Sequence, residues 1–372
     1  VPNWLRRACA GQPSLRGPQR SRKLATCTVR WRRCEDCNGA TSRRAVHWKV
    51  CMMRIAITGA NGFVGRAVCR RALDAGHTVT ALVRRPGGSI EGVREWVHDA
   101  ADFDGLDEGW PTDLVADCMI HLAARVHVMR DESPDPDAAF DATNVAGTLR
   151  LAKAARQHGV RRIVYASSIK AVGEGDGGVP LSEVVKPDPQ DAYGRSKLRA
   201  ERELAQFGAS NGLDVVVVRP PLVYGPAVRA NFLRMMDAVA RGMPLPLGSI
   251  AARRSIVYVD NLADALLQCA IDPRAAGECF HVADDDAPSV TGLLRLVGDA
   301  LGKPARLIAV PPAVLRVLGT LTGRRAAIDR LTGSLQLDTG RITRVLGWHP
   351  PYTTRQGLEA TAAWYRSRDT QQ

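Results

Sequence analysis

Tyr193 and Lys197 stand four residues apart in Tyr193-Gly194-Arg195-Ser196-Lys197, at the start of a helical pattern. That spacing puts both side chains on one helix face. A phenol can transfer a proton near neutral pH if a neighbouring ammonium lowers its pKa, and a serine hydroxyl can orient the oxygen that receives it. Ser167-Ser168, closing an apolar β-branched run, offers such a serine. Further upstream, Thr58-Gly59-Ala60-Asn61-Gly62-Phe63-Val64-Gly65 joins an apolar strand to a helix. Gly59 permits a tight bend, Gly62 lets the backbone approach a pyrophosphate, and Gly65 allows close helix–strand packing. A tyrosine/lysine pair alone would be read as an ordinary helix face, and a glycine triplet alone as a turn. Together with the serine they describe three parts of one redox site that binds a dinucleotide.

The elements that must position these groups follow from hydrophobic period. Residues 54–58, 78–83, 118–122, 162–166 and 214–219 are short, nearly continuous apolar runs, with a weaker one at 95–98. Residues 63–75, 137–158 and 192–210 read as helices, the first two ended by Gly76 and Gly159. Alternation of apolar strands with helices predicts an α/β fold: a doubly wound, Rossmann-type parallel sheet covered on both faces. After Tyr224-Gly225-Pro226 prolines cluster and the segments shorten. Residues 53–225 are therefore expected to form the dinucleotide-binding domain. Residues 226–372 are expected to form mainly a smaller substrate lobe, with elements returning to the sheet. The apolar stretch 307–321 is interrupted by Pro311, Pro312 and Arg316 and is too short to span a bilayer, so a packed lobe helix is expected there.

Which dinucleotide is bound turns on the end of the second strand. An NAD site usually places Asp or Glu there to hold the ribose 2′-hydroxyl. This chain has Val83 followed by Arg84 and Arg85. A guanidinium can pair with a 2′-phosphate, which favours NADP(H) over NAD(H); the alternative is two solvated loop arginines. Asp99, after the third strand, could accept a hydrogen bond from an adenine amino group.

The formal net charge of +13 would suggest a nucleic-acid or membrane partner, but it is unevenly spread. Residues 1–52 hold 12 Lys/Arg against 2 Asp/Glu, a net +10, leaving 39 against 36 in the rest. No nucleic-acid partner is expected of the body. The leader also holds five of the nine cysteines. Cys34 and Cys37, with Cys27, His47 and Cys51 nearby, could be read as a zinc site, but no second pair follows at finger spacing and no apolar pattern could fold around it, so no metal is expected. We read residues 1–52 as a disordered leader or a mis-assigned start, with the functional start at Met52 or Met53. No run qualifies as a signal peptide or a membrane span, and stable membrane insertion is not expected. Cys69, Cys118, Cys269 and Cys279, scattered in mostly apolar contexts, suit reduced thiols of a cytoplasmic protein.

Across nearly all of 53–372 the chain resembles the extended short-chain dehydrogenase/reductases, the superfamily of nucleotide-sugar epimerases, dehydratases and ketoreductases. The likeness rests on the glycine turn, His121-Leu122-Ala123-Ala124, Asn144 before a glycine, Ser167-Ser168, Tyr193/Lys197, Arg219-Pro220 through Tyr224-Gly225-Pro226, and Arg254 ahead of Val257-Tyr258-Val259-Asp260. It implies Ser168, Tyr193 and Lys197 as catalytic. It implies cofactor contacts along Gly59, Asn61, Gly62, Phe63, Val64 and Gly65, at Ala123 and Pro220, and from Tyr193 and Lys197. It implies a UDP-sugar substrate gripped through its diphosphate by Asn231 and Arg254, beside Ser168, and a homodimer. Two departures separate the chain from UDP-galactose 4-epimerases: Val83 in place of an acid, and no Arg-x-Gly-Asp segment between Arg306 and Asp338. Ser168-Ile169-Lys170 and Asn231-Phe232-Leu233 are more similar to the branch containing UDP-N-acetylquinovosamine dehydrogenases, which resemble C4 ketoreductases of 6-deoxy-hexosamines used in bacterial surface polysaccharide. The expected activity is therefore C4 ketoreduction of a UDP-4-keto-6-deoxy-hexosamine. A UDP-hexose or UDP-N-acetylhexosamine 4-epimerase is the alternative. A non-catalytic NAD(P)-binding sensor or scaffold is a third reading, against which the intact Ser/Tyr/Lys set counts.

A chain beginning at Met53 is expected to melt at the same temperature and keep full turnover. A large loss of either, in thermal unfolding or steady-state assay, would make residues 1–52 part of the fold.

Overall fold

The apolar runs read from the sequence become strands with few shifts of boundary. The computed structural model describes residues 52–126, 135–323 and 325–369; the expectations for residues 1–51 lie outside them. β1 (Arg54–Thr58), α1 (Phe63–Asp74), β2 (Thr78–Val83), β3 (Arg94–Val97) and β4 (Cys118–His121) open the chain. α2 (Pro136–Asp141) runs through a single π turn (Ala142–Ala146) into α3 (Gly147–Gln157). β5 (Arg162–Ala166), α4 (Ala192–Asn211) and β6 (Asp214–Arg219) follow. Then come β7 (Leu222–Tyr224), α5 (Ala230–Ala240), β8 (Ile256–Tyr258), α6 (Val259–Ile271), β9 (Cys279–His281) and α7 (Val290–Leu301). The chain closes with α8 (Pro312–Leu321), α9 (Arg325–Thr332), α10 (Gly340–Leu346) and α11 (Thr354–Asp369).

Seven strands make one sheet in the order β3-β2-β1-β4-β5-β6-β9, every ladder parallel. Order reverses between β1 and β4, the switch point outside whose carboxyl edge a dinucleotide binds in doubly wound sheets. Alternate strand residues feed two cores. Ile55, Ile57, Cys118 and Ile120 face one, with Val68 and Ala72 of α1 and Leu262 and Leu266 of α6. Ala56, Met119, Ile163 and Val215 face the other, with Leu151 and Ala155 of α3 and Leu204 of α4. Both faces are thus covered, which is why these strands read as continuous rather than alternating. Cys69, Cys118, Cys269 and Cys279 are buried free thiols within this packing.

The apolar period predicts one long helix over 137–158; the structure differs at its middle. Asn144, inside the π turn, is buried and tied by its amide to a neighbouring loop and to α4. A regular α period cannot reveal one extra residue in a turn. The stretch 307–321 differs too. Its part from Pro312 on forms α8, a helix as expected, but one packed along a narrow side through Leu315 and Gly319 alone. Among the described residues no helix is long and apolar enough to cross a membrane.

α4 is fastened to β6 by an ion pair with both partners fully buried. Arg219 donates to Glu201 through Nε at 2.9 Å and a terminal nitrogen at 2.5 Å. Removing one member leaves the other charged in a desolvated place. Glu201→Ala is expected to lower stability by about 3–5 kcal/mol in chemical denaturation. A loss under about 1 kcal/mol, the scale of an exposed pair, would refute this.

Candidate active site

The glycine turn leaves β1 with Gly59 in the left-handed region at φ +67°, where a Cβ would lie 2.9 Å from the Ala123 backbone nitrogen. At Gly65 a Cβ would lie 2.1 Å from the Gly59 carbonyl oxygen, so the first turn of α1 packs on β1 only without a side chain there. Gly62 caps α1 with no side-chain hydrogen bond, and no acid stands in the first turn. Those N-terminal amides and the helix dipole suit an anion. The turn therefore fits a dinucleotide pyrophosphate.

Ser168, at the end of the β5 segment, accepts from the Lys170 amide at 3.3 Å and opens a short 3-10 turn. Its hydroxyl faces Tyr193 closely enough to pull the phenol pKa down. Burial acts more strongly the other way, and Tyr193 is pushed up to about 12. Lys197, one turn along α4, is buried and donates to the Ala166 carbonyl at 2.8 Å and to the Tyr165 hydroxyl at 3.2 Å. Its ammonium lies 6.0 Å from the Tyr193 ring centroid and 4.5 Å from that of Tyr165. Desolvation brings Lys197 down to about 7, against the pull of Glu201. The pairing read from sequence is present in space. The expected lowering of the Tyr193 pKa is not, because burial, joined by the Asp191 charge, outweighs the pull of Ser168.

Behind Lys197 runs a buried chain of polar groups. Thr58 Oγ1 accepts from the amides of Leu122 and Ala123, each at 3.1 Å, so its own proton goes to His121 Nδ1 at 2.7 Å. His121 Nε2 then donates to Thr148 Oγ1 at 3.0 Å, and Thr148 donates to the Asn144 carbonyl at 2.7 Å. This settles the tautomer: a neutral imidazole with its proton on Nε2. Burial, and next the Lys197 charge, push His121 down to about 3, in agreement. Asn144 accepts from the Arg125 amide at 2.8 Å and donates to Ser196 at 3.0 Å, tying the π turn to α4 one residue before Lys197.

Asp191 caps α4, its Oδ1 accepting from the Gly194 amide at 2.7 Å while Oδ2 takes the Lys170 ammonium at 2.6 Å. Gly194 packs on Lys170, where a Cβ would lie 2.4 Å from the carbonyl oxygen. The serine turn and the tyrosine helix are therefore fixed to each other directly. Sequence reading missed Asp191, Thr148 and Tyr165 as members of the site. Asp191 carried a signal, an N-cap residue type just before the helical run. Thr148 and Tyr165 carried none beyond being polar within apolar elements.

The other expected residues are placed separately. Val83 is buried, and Arg84, Arg85 and Asp99 are exposed at the carboxyl edges of β2 and β3. The loop that begins with the arginines is pinned: Glu95 accepts from the amides of Gly87 and Ser89, Arg66 donates to the Gly88 carbonyl, and Ser89 donates to Asn61. Those amide bonds hold the Glu95 carboxyl below its ordinary range. Pro220 follows β6, its carbonyl accepting from Ile169 at 3.0 Å. Asn231 is exposed in the first turn of α5. Arg254 is half-buried, donates to the Gly333 carbonyl at 3.0 Å, and feels the charges of Glu174 and Asp176. Segment 333–338, where no Arg-x-Gly-Asp occurs, bridges by its backbone. Ser334 and Gln336 carbonyls accept from Asp176 and Leu181, and Leu335 exchanges bonds with Arg253 and Ser255. Arg254 is thus joined to the stretch that follows Ser168.

Comparison with known proteins bears on the family and the fold. The family described as the NAD dependent epimerase/dehydratase family matches residues 55–283. A UDP-glucose 4-epimerase from Vibrio cholerae is 37% identical over 311 residues, covering 83% of this chain and 94% of that one. A GDP-6-deoxy-D-mannose reductase from Pseudomonas aeruginosa is 28% identical over 325 residues, covering 85% and 98%. The solved structure of a UDP-glucose 4-epimerase from Thermotoga maritima has the same fold, with a TM-score of 0.69 at 24% identity, over 85% of this chain and 99% of that one.

The buried lysine gives a pH signature. Unfolded, its ammonium has the ordinary value of 10.5; folded, about 7. Between these values the unfolded chain binds the proton and the folded chain does not, so this group makes stability rise with pH across that window. The contribution is present above the unfolded value and lost as pH falls through the folded one. Lys197→Met is expected to flatten the slope of unfolding free energy between about pH 7 and about pH 10, followed in urea. An unchanged slope would mean that Lys197 stays charged in the fold.

Proposed function

Because the chain belongs to the NAD-dependent epimerase/dehydratase family, we propose that it works at C4 of a UDP-linked sugar, as a ketoreductase of a UDP-4-keto-6-deoxy-hexosamine. The observation that carries this reading is the state of Tyr193. Ser168 lowers its pKa, but burial outweighs this and holds the phenol in its protonated form at neutral pH. That is the form a reduction needs, since the carbonyl oxygen must gain a proton. Ser168 holds the C4 oxygen, Tyr193 gives it the proton, and Lys197, facing the ring, steadies the phenolate left behind.

A nicotinamide dinucleotide, when bound, supplies the hydride. The residues suited to hold it are Gly59, Asn61, Gly62, Phe63, Val64 and Gly65 of the turn, with Ala123, Pro220, Tyr193 and Lys197. Arg84 and Arg85, in place of an acid after buried Val83, support NADP(H) over NAD(H), with Asp99 toward the adenine. Asn231 and Arg254 are suited to the diphosphate.

A second reading, 4-epimerisation of a UDP-hexose, is favoured by the 37% identity to the Vibrio cholerae epimerase. It requires the same tyrosine to take the proton first and return it. Product analysis by NMR separates the two. We expect stoichiometric oxidation of NADPH by UDP-4-keto-6-deoxy-N-acetylglucosamine, and no C4 epimer of UDP-glucose or UDP-N-acetylglucosamine above a trace without added nicotinamide. Tyr193→Phe should cost roughly 10²–10⁴-fold in turnover with cofactor affinity nearly unchanged. Efficient interconversion of gluco and galacto sugars would give the site to the epimerase reading. Wild-type turnover by the phenylalanine variant would remove the tyrosine from the mechanism.

A further inference from the structure

α8 presents Val314, Val317, Leu318 and Leu321 to solvent, with relative exposures of 46%, 60%, 51% and 78%. Their spacing is i, i+3, i+4, i+7, a single apolar stripe of the kind that soluble helices normally turn inward. The buried pair Leu315 and Gly319 lies on another side of the helix, where Gly319 meets Ile328 of α9. Ile308, just before α8, adds a further exposed aliphatic side chain at 52%. The helix therefore has one face in the protein and a second, equally apolar, that is exposed among the described residues. Contiguous exposed apolar surface of this kind marks an interaction site.

Charge indicates the partner. Residues 303–333 hold six Lys/Arg and one Asp. Without them, the body from Met53 onward has 33 Lys/Arg against 35 Asp/Glu. The body's excess of positive charge is thus carried by the segment that contains this helix. The single acid, Asp329, is shared between Arg316 at 3.7 Å and Arg325 at 3.6 Å, so it cannot neutralise both. Arg316 stands on the polar side of α8, opposite the stripe. Aliphatic residues on one face with basic residues on and around the other is the pattern of a helix lying in a membrane interface. A second copy of the chain fits less well: a two-fold contact through the stripe would bring two basic segments together.

We propose that the exposed face of α8, within the basic segment 303–333, docks on the surface of an anionic phospholipid bilayer without crossing it. Aliphatic side chains enter the acyl boundary and the guanidinium groups pair with headgroup phosphates. This stands on surface geometry and charge alone and is independent of the reaction assigned to the site.

The test measures partitioning of the full chain onto vesicles of phosphatidylcholine with and without phosphatidylglycerol. Comparison is always against variants that keep the basic leader, so its contribution cancels. Val317→Glu with Leu321→Glu should reduce partitioning onto phosphatidylglycerol vesicles by roughly tenfold or more, with an unchanged melting temperature. Arg316→Gln with Arg325→Gln should reduce it several-fold. Val317→Trp should gain fluorescence quenching by brominated phospholipid that the parent chain lacks. Equal partitioning of the parent and the glutamate variant, or no quenching of the introduced tryptophan, would overturn the proposal. So would sedimentation of the parent as a dimer that the glutamates dissociate, which would give the face to a second copy.

Discussion

A lysine ammonium taken out of water must be received by something, and the arrangement of this site follows from how Lys197 is received. The Ala166 carbonyl and the Tyr165 hydroxyl accept from it, and the Tyr165 ring lies beneath it. These contacts only partly replace hydration, as the lowered pKa records. They are strict in geometry, because the accepting groups belong to β5 at the middle of the sheet. One turn along the same helix, Glu201 meets Arg219 of β6. Two buried charges thus set both the rotation of α4 and its height over the sheet. Tyr193, four residues before Lys197, can then lie only beside Ser168.

The same placement explains the neutral histidine. His121 lies in the strand next to β5, and a second cation so near Lys197 in a dry region would be costly. Thr58 and Thr148 satisfy the ring without charging it. Through them the glycine turn of β1, the carboxyl end of β4 and the π turn share one hydrogen-bonded chain. The glycine turn and the helix carrying Tyr193 and Lys197 are therefore joined through one hydrogen-bonded network. The surroundings of Arg254 are built differently: the backbone of 333–338 joins 176–181 to Arg253–Ser255, so Arg254 is fixed by main-chain pairing.

Much of this was legible in the sequence, for reasons that can be named. Residues 54–58, 78–83, 162–166 and 214–219 are runs of apolar residues with turn signals at their ends, and a buried parallel strand can hardly be written otherwise. Gly59 and Gly65 were readable because backbone atoms approach each other where any Cβ would collide. Tyr193, Lys197 and Ser168 were readable as chemistry. The π turn was not, since one extra residue leaves no periodic trace, nor was the role of Tyr165, whose position in β5 looks like any aromatic in a strand. The outward stripe of α8 was hidden because an apolar period says that a face wants covering and not what covers it. The Tyr193 pKa was misjudged because a sequence shows the neighbouring charge and hides the degree of burial.

The π turn has a consequence for how this helix can vary. Each residue advances an α-helix by about 100°. Residues before the turn and after it therefore serve partners that a uniform helix could not address at once. On one side Phe140 meets the Tyr193 ring edge-on at 6.1 Å and lies under Arg125. On the other, Thr148 meets His121 and Gly147 lies against Asp102 closely enough to exclude a Cβ. Loss of one residue from 142–146 would close this wide turn to an ordinary α turn and leave Phe140 and Thr148 near their present facing. The wide turn thus absorbs a residue that a uniform helix of the same length would convert into a misalignment of its two halves.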